Sequence, residues 1–248
     1  MGISKAQPAA LAFTVAALFA LALAPGTARA ADPGVARLSV LKGNVSIKRG
    51  DSGDTVAGAI NAPLLPGDYL STGGDSHAEV QFDYGNVLRA GPETQLRFVQ
   101  LDAGGRVAQL AAGTVEMREF HDTNAHSEID TPSVTIRPVT TGAFRITVMP
   151  DGNAEVTARS GVASIATSTA SRNVAAGTTM VVTGDAANAE FQTSPTVALD
   201  DFDTWNSERD HLIASAGAGA YRYLNDDIAG AYDLDSYGQW IDEPGYGN

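Results

Sequence analysis

The segment Gly43-Asn-Val45-Ser-Ile47 is the most informative part of this chain, because the same pattern returns as Gly113-Thr-Val115-Glu-Met117 and as Gly161-Val-Ala163-Ser-Ile165. Each copy is a glycine followed by residues whose alternate members are small or apolar. Glycine adopts the positive φ that a tight turn needs, and a strand places successive side chains on opposite faces. The pattern therefore predicts a turn that opens into a half-buried strand, and its recurrence predicts a repeated β unit.

Turn signals continue at intervals of roughly ten residues through most of the chain. Examples are Pro66-Gly67-Asp68, Tyr84-Gly85-Asn86, Asp151-Gly152-Asn153 and Thr183-Gly184-Asp185. Such short intervals leave no room for crossover helices and are typical of antiparallel β structure. The sequence predicts an all-β fold of stacked antiparallel strands, either a sandwich or a β-solenoid-like arrangement.

Apolar and polar residues alternate between the turns, which predicts strands with one dry face and one solvated face. The apolar members are Leu38, Val40, Val80, Phe82, Leu96, Phe98, Val134, Ile136, Phe144, Ile146 and Val148. We expect their polar neighbours to face water; these are Arg37, Glu79, Gln81, Arg97, Arg145 and Thr147.

Residues 1–30 are predicted to be a signal peptide. Lys5 precedes an apolar run over residues 9–24, and the small-residue site Ala28-Arg29-Ala30 follows it. The alternative is an uncleaved anchor helix, but the run is shorter than the roughly 20 residues that a spanning helix needs. We expect cleavage after Ala30 and a periplasmic protein that is not membrane-embedded, with a secreted protein as the second choice.

Composition divides the remaining chain near Pro195. Residues 31–194 are predicted to form the all-β domain, and residues 195–248 an acidic helix with a Tyr/Trp/Gly-rich tail. The helix is indicated by apolar spacings of three, four and seven, and we expect the glycine-alanine stretch over residues 215–220 to end it. The residues with this spacing are Leu199, Phe202, Trp205, Leu212 and Ile213. The tail after residue 220 has no clean period and is expected to be irregular.

The charge and cysteine content exclude several classes of function. The formal net charge is −13, and nucleic-acid binding depends on clustered Lys and Arg. The chain has no cysteine, so it has no disulfide, thiolate metal site or cysteine nucleophile. We therefore expect no nucleic-acid partner.

The order of several motifs over roughly residues 36–183 is similar to that of a FecR domain. These motifs are Leu41-Lys-Gly43-Asn-Val45-Ser-Ile47, Leu65-Pro-Gly67-Asp68, Ala78-Glu79-Val80-Gln-Phe82, Gly113-Thr-Val115, Ile129-Asp-Thr131-Pro132 and Gly142-Ala-Phe144-Arg-Ile146. Phe202-Asp-Thr-Trp205 and Asp233-Leu-Asp235-Ser-Tyr237-Gly238-Gln-Trp240 are similar to the start of an uncharacterised Tyr/Trp-rich region that follows FecR domains in exported proteobacterial proteins. The resemblance implies an all-β periplasmic module used for protein contacts.

Catalytic and metal-binding patterns are weak. The four histidines are scattered, and His121 and His126 lie five residues apart, which misses the helical spacing of four that zinc enzymes use. The segment Asp233 to Gly238 imitates the opening of a calcium loop, but Pro244 stands where the loop needs a bidentate glutamate. We expect no catalytic residue, cofactor or metal.

Two functions remain open. The first is a non-catalytic module that binds an envelope protein or polymer, with Trp205, Tyr237 and Trp240 as candidate partner-binding residues. The alternative is an envelope or carbohydrate-active enzyme that uses carboxylates, such as the pairs Asp226-Asp227 and Asp242-Glu243.

Overall fold

Seventeen strands and two helices make up the part of the chain that this computed structural model describes, namely residues 2, 34–220, 224 and 229–241. The predicted signal peptide, apart from Gly2, lies outside these residues. The strands are β1 Ala36–Lys42, β2 Val45–Lys48, β3 Thr55–Ala57, β4 Pro63–Leu64, β5 Tyr69–Thr72, β6 His77–Gln81, β7 Val87–Ala90, β8 Gln95–Asp102, β9 Gly105–Glu119, β10 His126–Asp130, β11 Thr135–Pro138, β12 Gly142–Val148, β13 Ala154–Ser160, β14 Val162–Ala166, β15 Ser171–Ala175, β16 Thr178–Thr183 and β17 Glu190–Pro195. The helices are α1 Asp201–Ala220 and α2 Ala231–Tyr237.

The strands form two layers that share the long strand β9. Layer A has the order β4-β1-β6-β7-β9-β12-β13-β16-β17. Layer B has the order β3-β2-β5-β8-β9-β10-β11-β14-β15. Neighbouring strands are antiparallel except β9 and β10, which are parallel. The predicted all-β stack of antiparallel strands is confirmed, with one parallel pair that the sequence did not indicate.

The three glycines of the repeated pattern lie at corners where the chain crosses between the layers. Gly43 separates β1 from β2, and Gly161 separates β13 from β14. Gly113 bends β9, whose earlier residues pair in layer B and whose later residues pair in layer A. Their φ values are 77°, 76° and 89° respectively, in the left-handed region that favours glycine. The pattern thus marks a corner followed by a half-buried strand, and the repeated unit is one crossing between the layers.

The hydrophobic core lies between the two layers and contains most of the predicted apolar set, including the fully buried Phe98 and Phe144. Val40 is an exception. The register of β1 shifts between Leu38 and Val40, so that Leu38 pairs with Val80 but Val40 pairs with Glu79. A bulge adds one residue and reverses the faces that follow, so Leu41 packs against the core in place of Val40.

The prediction that the polar neighbours face water is wrong for layer A. Glu79 and Gln81 are completely buried, and Arg37, Arg145 and Thr147 are half-buried. The reason is that helices cover the outer face of this layer: α1 contacts Glu79 and Arg145, and Asp233 of α2 pairs with Arg37, which donates to Gln81. Arg97, in layer B, is exposed as expected.

The predicted helix is present, but it does not end in the glycine-alanine stretch, because it continues to Ala220. The alanines there have the highest helix propensity of any residue and offset the two glycines. Phe202 and Ile213 are buried, whereas Leu199 and Leu212 are exposed. Leu199 precedes the first turn, and Leu212 is rotated away from the face that holds Ile213.

The predicted irregular tail contains the short helix α2, which begins after Gly230 at a φ of 90°. Asp233 of this helix forms an ion pair with Arg37 of β1. None of the described helices is long and apolar enough to cross a membrane.

Gly113 and Gly152 form a matched pair for testing the corner. Both have a positive φ, which costs an L-residue roughly 1–2 kcal/mol. A Cβ at Gly113 would lie 2.5 Å from the Cα of Thr94, whereas a Cβ at Gly152 would have no atom within 4 Å. We expect Gly113→Ala to lower the free energy of unfolding by more than about 3 kcal/mol, since overpacking adds to the strain. Gly152→Ala should cost about 1 kcal/mol. Urea unfolding would measure both, and equal losses would contradict the crowded corner.

Candidate interaction site

A row of alternating charges crosses the outer face of layer A. The register places Glu79 beside Arg89, Arg89 beside Glu116, and Glu116 beside Arg145, on strands β6, β7, β9 and β12. Arg89 Nε donates to Glu79 Oε2 at 2.9 Å, and Arg89 Nη1 donates to Glu116 Oε1 at 3.1 Å. Opposite charges on directly paired strand positions attract one another, so the row stabilises this order of strands.

The middle of α1 carries charges that complement the row. Asp210 accepts hydrogen bonds from Arg89 Nη1 at 2.6 Å and from Arg118 Nε at 2.7 Å. Arg209 Nη2 donates to Glu79 Oε1 at 2.8 Å. Arg89 Nη1 also lies 3.2 Å from the main-chain oxygen of Asn206. The helix is therefore attached to three strands of layer A by charge-assisted hydrogen bonds, which are stronger than neutral ones.

The first turn of α1 is attached by a second group of ion pairs. Asp203 accepts from Arg145 Nη1 at 2.6 Å and from Arg159 Nη2 at 2.8 Å, and Asp200 accepts from Arg145 Nη2 at 2.7 Å. Asp200 Oδ1 also accepts from the Asp203 amide at 3.0 Å, and Asp203 Oδ2 accepts from the Asp200 amide at 3.1 Å. This reciprocal pair caps the helix, as a capping box does. The two acids thus set both the start of the helix and its position on the sheet.

Burial acts differently on the two glutamates of the row. Burial alone would raise the pKa of Glu79, but hydrogen bonds and charges from Arg209 and Arg89 outweigh it and lower the pKa to about 2. Burial raises the pKa of Glu116 to about 7, because the attraction of Arg89 is offset in part by the nearby carboxylates of Asp210 and Asp203. Glu79 is therefore a permanent anion, whereas Glu116 titrates near neutrality.

An open groove of about 610 Å³ lies at the start of α1. Three aromatic rings line it: His77 lies 5.7 Å from Phe202 and 5.1 Å from Trp205, and Phe202 lies 5.9 Å from Trp205, between ring centroids. Charged side chains of both signs complete the lining, namely those of Lys42, Arg145, Asp75, Asp200 and Asp201. Burial and the charge of Lys42 lower the pKa of His77, which favours the neutral imidazole. The groove combines an aromatic surface with polar groups at its rim.

The structure separates the three candidate partner-binding residues. Trp205 is half-buried and lines the groove, whereas Tyr237 and Trp240 do not. Tyr237, at the end of α2, is 91% exposed. Trp240 is half-buried, and its indole N–H donates to Asp235 Oδ1 at 2.8 Å. Trp205 and Tyr237 are therefore two distinct candidate contact points.

The other residues considered for chemistry lie apart from one another. His126 begins β10, His211 lies exposed on α1, and the ring of His121 is 5.2 Å from that of Tyr84. Asp233 and Asp235 lie on α2, where one pairs with Arg37 and the other accepts from Trp240. Within the described residues, no three His, Asp or Glu side chains are placed to hold a metal ion. The two acidic pairs considered for an enzyme, at residues 226–227 and 242–243, lie outside the described residues.

Sequence reasoning missed the charged row. Each member occupies the polar position of an alternating strand, which is the usual pattern of a solvated face. The sequence did contain one signal. Arg209 and Asp210 lie within the predicted helix, among the apolar residues expected to face the sheet, and such charges could pair with opposite charges on that sheet. Only the strand register shows which charges meet.

We expect removal of Arg89 to be strongly destabilising. Arg89→Met would leave Glu116 buried without its arginine partner and would remove one contact of Glu79 and of Asp210, so the expected loss is about 3–5 kcal/mol. The matched control is Arg137→Met, because the side chain of Arg137 is 51% exposed and its pair with Glu128 contributes at most about 1 kcal/mol. Chemical unfolding of both variants measures the difference, and similar losses would show that α1 is held by other contacts.

Glu116 should make stability depend on pH. Its pKa of about 7 lies above its usual 4.5, so the native state binds the proton more tightly than the unfolded chain does. This contribution is complete below pH about 4.5 and is lost as the pH rises through about 7. His77 acts in the opposite direction, because its pKa is lowered. The useful quantity is therefore the difference between Glu116→Gln and the parent protein.

The amide of Glu116→Gln cannot ionise, so the variant should gain relative stability as the pH rises from about 5 to about 8, on the order of 2 kcal/mol. Urea unfolding at several pH values would measure this difference. The control is Glu190→Gln, at an exposed position of β17, which should show no such trend. A constant difference between Glu116→Gln and the parent would contradict the assigned titration.

The chain is similar in part to known proteins. Two crystal structures of a candidate anti-sigma factor from Parabacteroides distasonis ATCC 8503, at 2.50 and 1.65 Å resolution, are 17% and 16% identical, each with a TM-score of 0.45. In both cases the similarity covers 52% of this chain and 60% of the other, so it spans less than two thirds of that protein. No curated protein matches the chain. Residues 68–164 match the family described as FecR protein. The resemblance predicted from the sequence is thus confirmed over these residues.

Proposed function

We propose that this chain is a non-catalytic, FecR-like interaction module of the periplasm, which binds an envelope protein or polymer through the groove at the start of α1. The observation that carries the proposal is the set of three neighbouring rings, His77, Phe202 and Trp205, in an open groove of about 610 Å³. Tryptophan is enriched among the residues that dominate binding energy at interfaces. Trp205 is therefore the proposed anchor.

The rigid attachment of α1 supports this role. Arg145 binds both Asp200 and Asp203, and Arg159 donates to the main-chain oxygen of Val197 at 2.6 Å. These contacts hold the segment before the helix as well as its first turn, so the position of Trp205 is set before a partner arrives. A site formed in advance avoids the entropy cost of ordering a loop on binding.

The state of the buried carboxylates supports a non-catalytic role. Glu79, Glu116, Asp203 and Asp210 each lie within 3.1 Å of an arginine side-chain nitrogen. The pairs of Glu79, Asp203 and Asp210 join α1 to layer A, and each of the four carboxylates has an arginine partner on at least one oxygen atom. Their arrangement is that of a structural contact between a helix and a sheet.

The N-terminal sequence supports the proposed location. The apolar run over residues 9–24 and the site Ala28-Arg29-Ala30 have the pattern of a cleaved signal peptide. The match of residues 68–164 to the FecR family supports a module that acts in the cell envelope.

A second candidate function rests on Glu119. Burial raises the pKa of this carboxyl to about 7, which suits a general acid, and Glu119 lines a small cavity of about 150 Å³ with Asp122 and His126. The cavity is small for a polymer chain, so the interaction module remains our first proposal. Turnover of purified envelope glycans by the protein, abolished in Glu119→Gln, would favour the enzyme instead.

Trp205→Ala tests the interaction site. We expect this variant to lose at least about tenfold in affinity for partners captured from intact envelopes, because an anchoring tryptophan contributes on the order of 2 kcal/mol or more. Tyr237→Ala removes an aromatic residue of similar size that lies outside the groove, and it should bind as the parent does. Captured partners would be identified by mass spectrometry, and their affinities would then be measured with purified components.

Two further results separate the possible outcomes. A thermal unfolding curve shows whether Trp205→Ala remains folded, and Asp75→Lys, at the rim of the groove, repeats the test without removing a ring. Loss of binding in Tyr237→Ala alone would move the site to α2. Unchanged binding in all three variants would end the groove proposal.

A further inference from the structure

Both layers end on an open strand at the same end of the stack. Strand β17 is the last strand of layer A and pairs only with β16, and β15 is the last strand of layer B and pairs only with β14 among the described residues. The corner at Gly177 joins β15 to β16, which is the neighbour of β17. The two end strands are therefore separated by a single crossing between the layers. The backbone groups on the outer edges of β17 and β15 therefore have no strand partner within the described part of the chain.

The opposite end of the stack is built differently. There layer A ends on β4, which has two residues and begins with Pro63, and layer B ends on β3, which has three residues. Short strands and proline are the devices by which proteins prevent pairing at a sheet edge. By contrast, β17 has six residues and β15 has five. Only one end of the stack offers long edges for pairing.

We propose that a second copy of this chain pairs with these edges, around a two-fold axis perpendicular to the layers. Such an axis places β17 antiparallel to β17 of the second copy and β15 antiparallel to β15 of the second copy. Both layers then continue through the contact at once, whereas a single extended peptide could continue only one of them. The surface is self-complementary, as a two-fold interface requires. This inference goes beyond the proposed function and does not depend on the groove.

The end strands tolerate this pairing without a clash of like charges. When β17 pairs with itself about this axis, Gln192 lies opposite Gln192 of the second copy, and Glu190 lies opposite Ser194 of the second copy. When β15 pairs with itself, Arg172 lies opposite Val174, and Asn173 lies opposite Asn173 of the second copy. Like charges directly opposite one another would destabilise a strand pair, and this register avoids them.

The contact should strengthen with salt. Each chain carries a net charge of −13, so two copies repel one another at long range. The edges themselves pair mainly through backbone hydrogen bonds, which depend little on ionic strength. Since salt screens the repulsion and leaves the hydrogen bonds in place, the dimer should dissociate more readily at low salt.

Analytical ultracentrifugation of the full-length chain, over a range of concentrations at low and moderate salt, tests the proposal. We expect a monomer–dimer equilibrium whose dissociation constant falls as salt is added. Gln192→Lys places a charge at the centre of the β17 pair and should weaken the dimer at least about tenfold. Thr55→Lys places the same charge on the edge strand β3 at the opposite end and should leave the dimer unchanged. Circular dichroism would confirm that both variants retain the fold.

The absence of native cysteine allows a direct check of the pairing. Asn173→Cys would place two sulfur atoms across the two-fold axis, because opposed residues in an antiparallel pair have Cα atoms about 4.5–5.5 Å apart, which suits a disulfide. We expect rapid oxidation to a covalent dimer, slowed by adding Gln192→Lys, and little reaction in the control Thr55→Cys. A monomer at all concentrations and salts, or equal cross-linking of the two cysteine variants, would overturn the proposal.

Discussion

The ionic contact between α1 and the outer face of layer A fixes the position of the helix and of the groove beside it. The only large apolar side chains that α1 buries completely within its described part are those of Phe202 and Ile213. Its charged attachment is through Asp203, Arg209 and Asp210, which meet opposite charges on five strands. Because a buried charge without a partner is costly, each of these contacts depends on the correct placement of the others. The helix can therefore occupy only one position on the sheet.

This single position creates the groove. The ion pairs of Arg145 and Arg159 hold the first turn of α1, and that turn brings Phe202 and Trp205 against His77 of β6. The groove wall also includes residues at layer corners, among them Pro92 and Thr114. The charged contact, the corners and the aromatic surface thus form one connected arrangement. A change in the charge of Glu116 would act on the same contact that positions the groove.

Several features could be predicted because they are local. The corner glycines and the alternation of Phe144, Ile146 and Val148 follow from backbone sterics and from the two-residue period of a strand. The start of α1 follows from its acidic first turn and its apolar spacing. The bulge at Ser39 has no comparable signature, so Val40 was assigned to the wrong face. The irregular tail was also wrong in part, because a seven-residue helix has too few turns to show a period.

The β class, the positions of the turns before the repeated strands and the existence of an acidic helix could be read from the sequence alone, because each depends on neighbouring residues and on the conformations open to them. Only the tertiary structure decided that Glu79, Arg89, Glu116 and Arg145 form one buried row. Their pairing depends on the register between strands that are distant in sequence, and their burial depends on where a later helix docks. A strand face that is solvated and one that is covered by a charged helix show the same alternation of apolar and polar residues. Only contacts between residues distant in sequence distinguish the two.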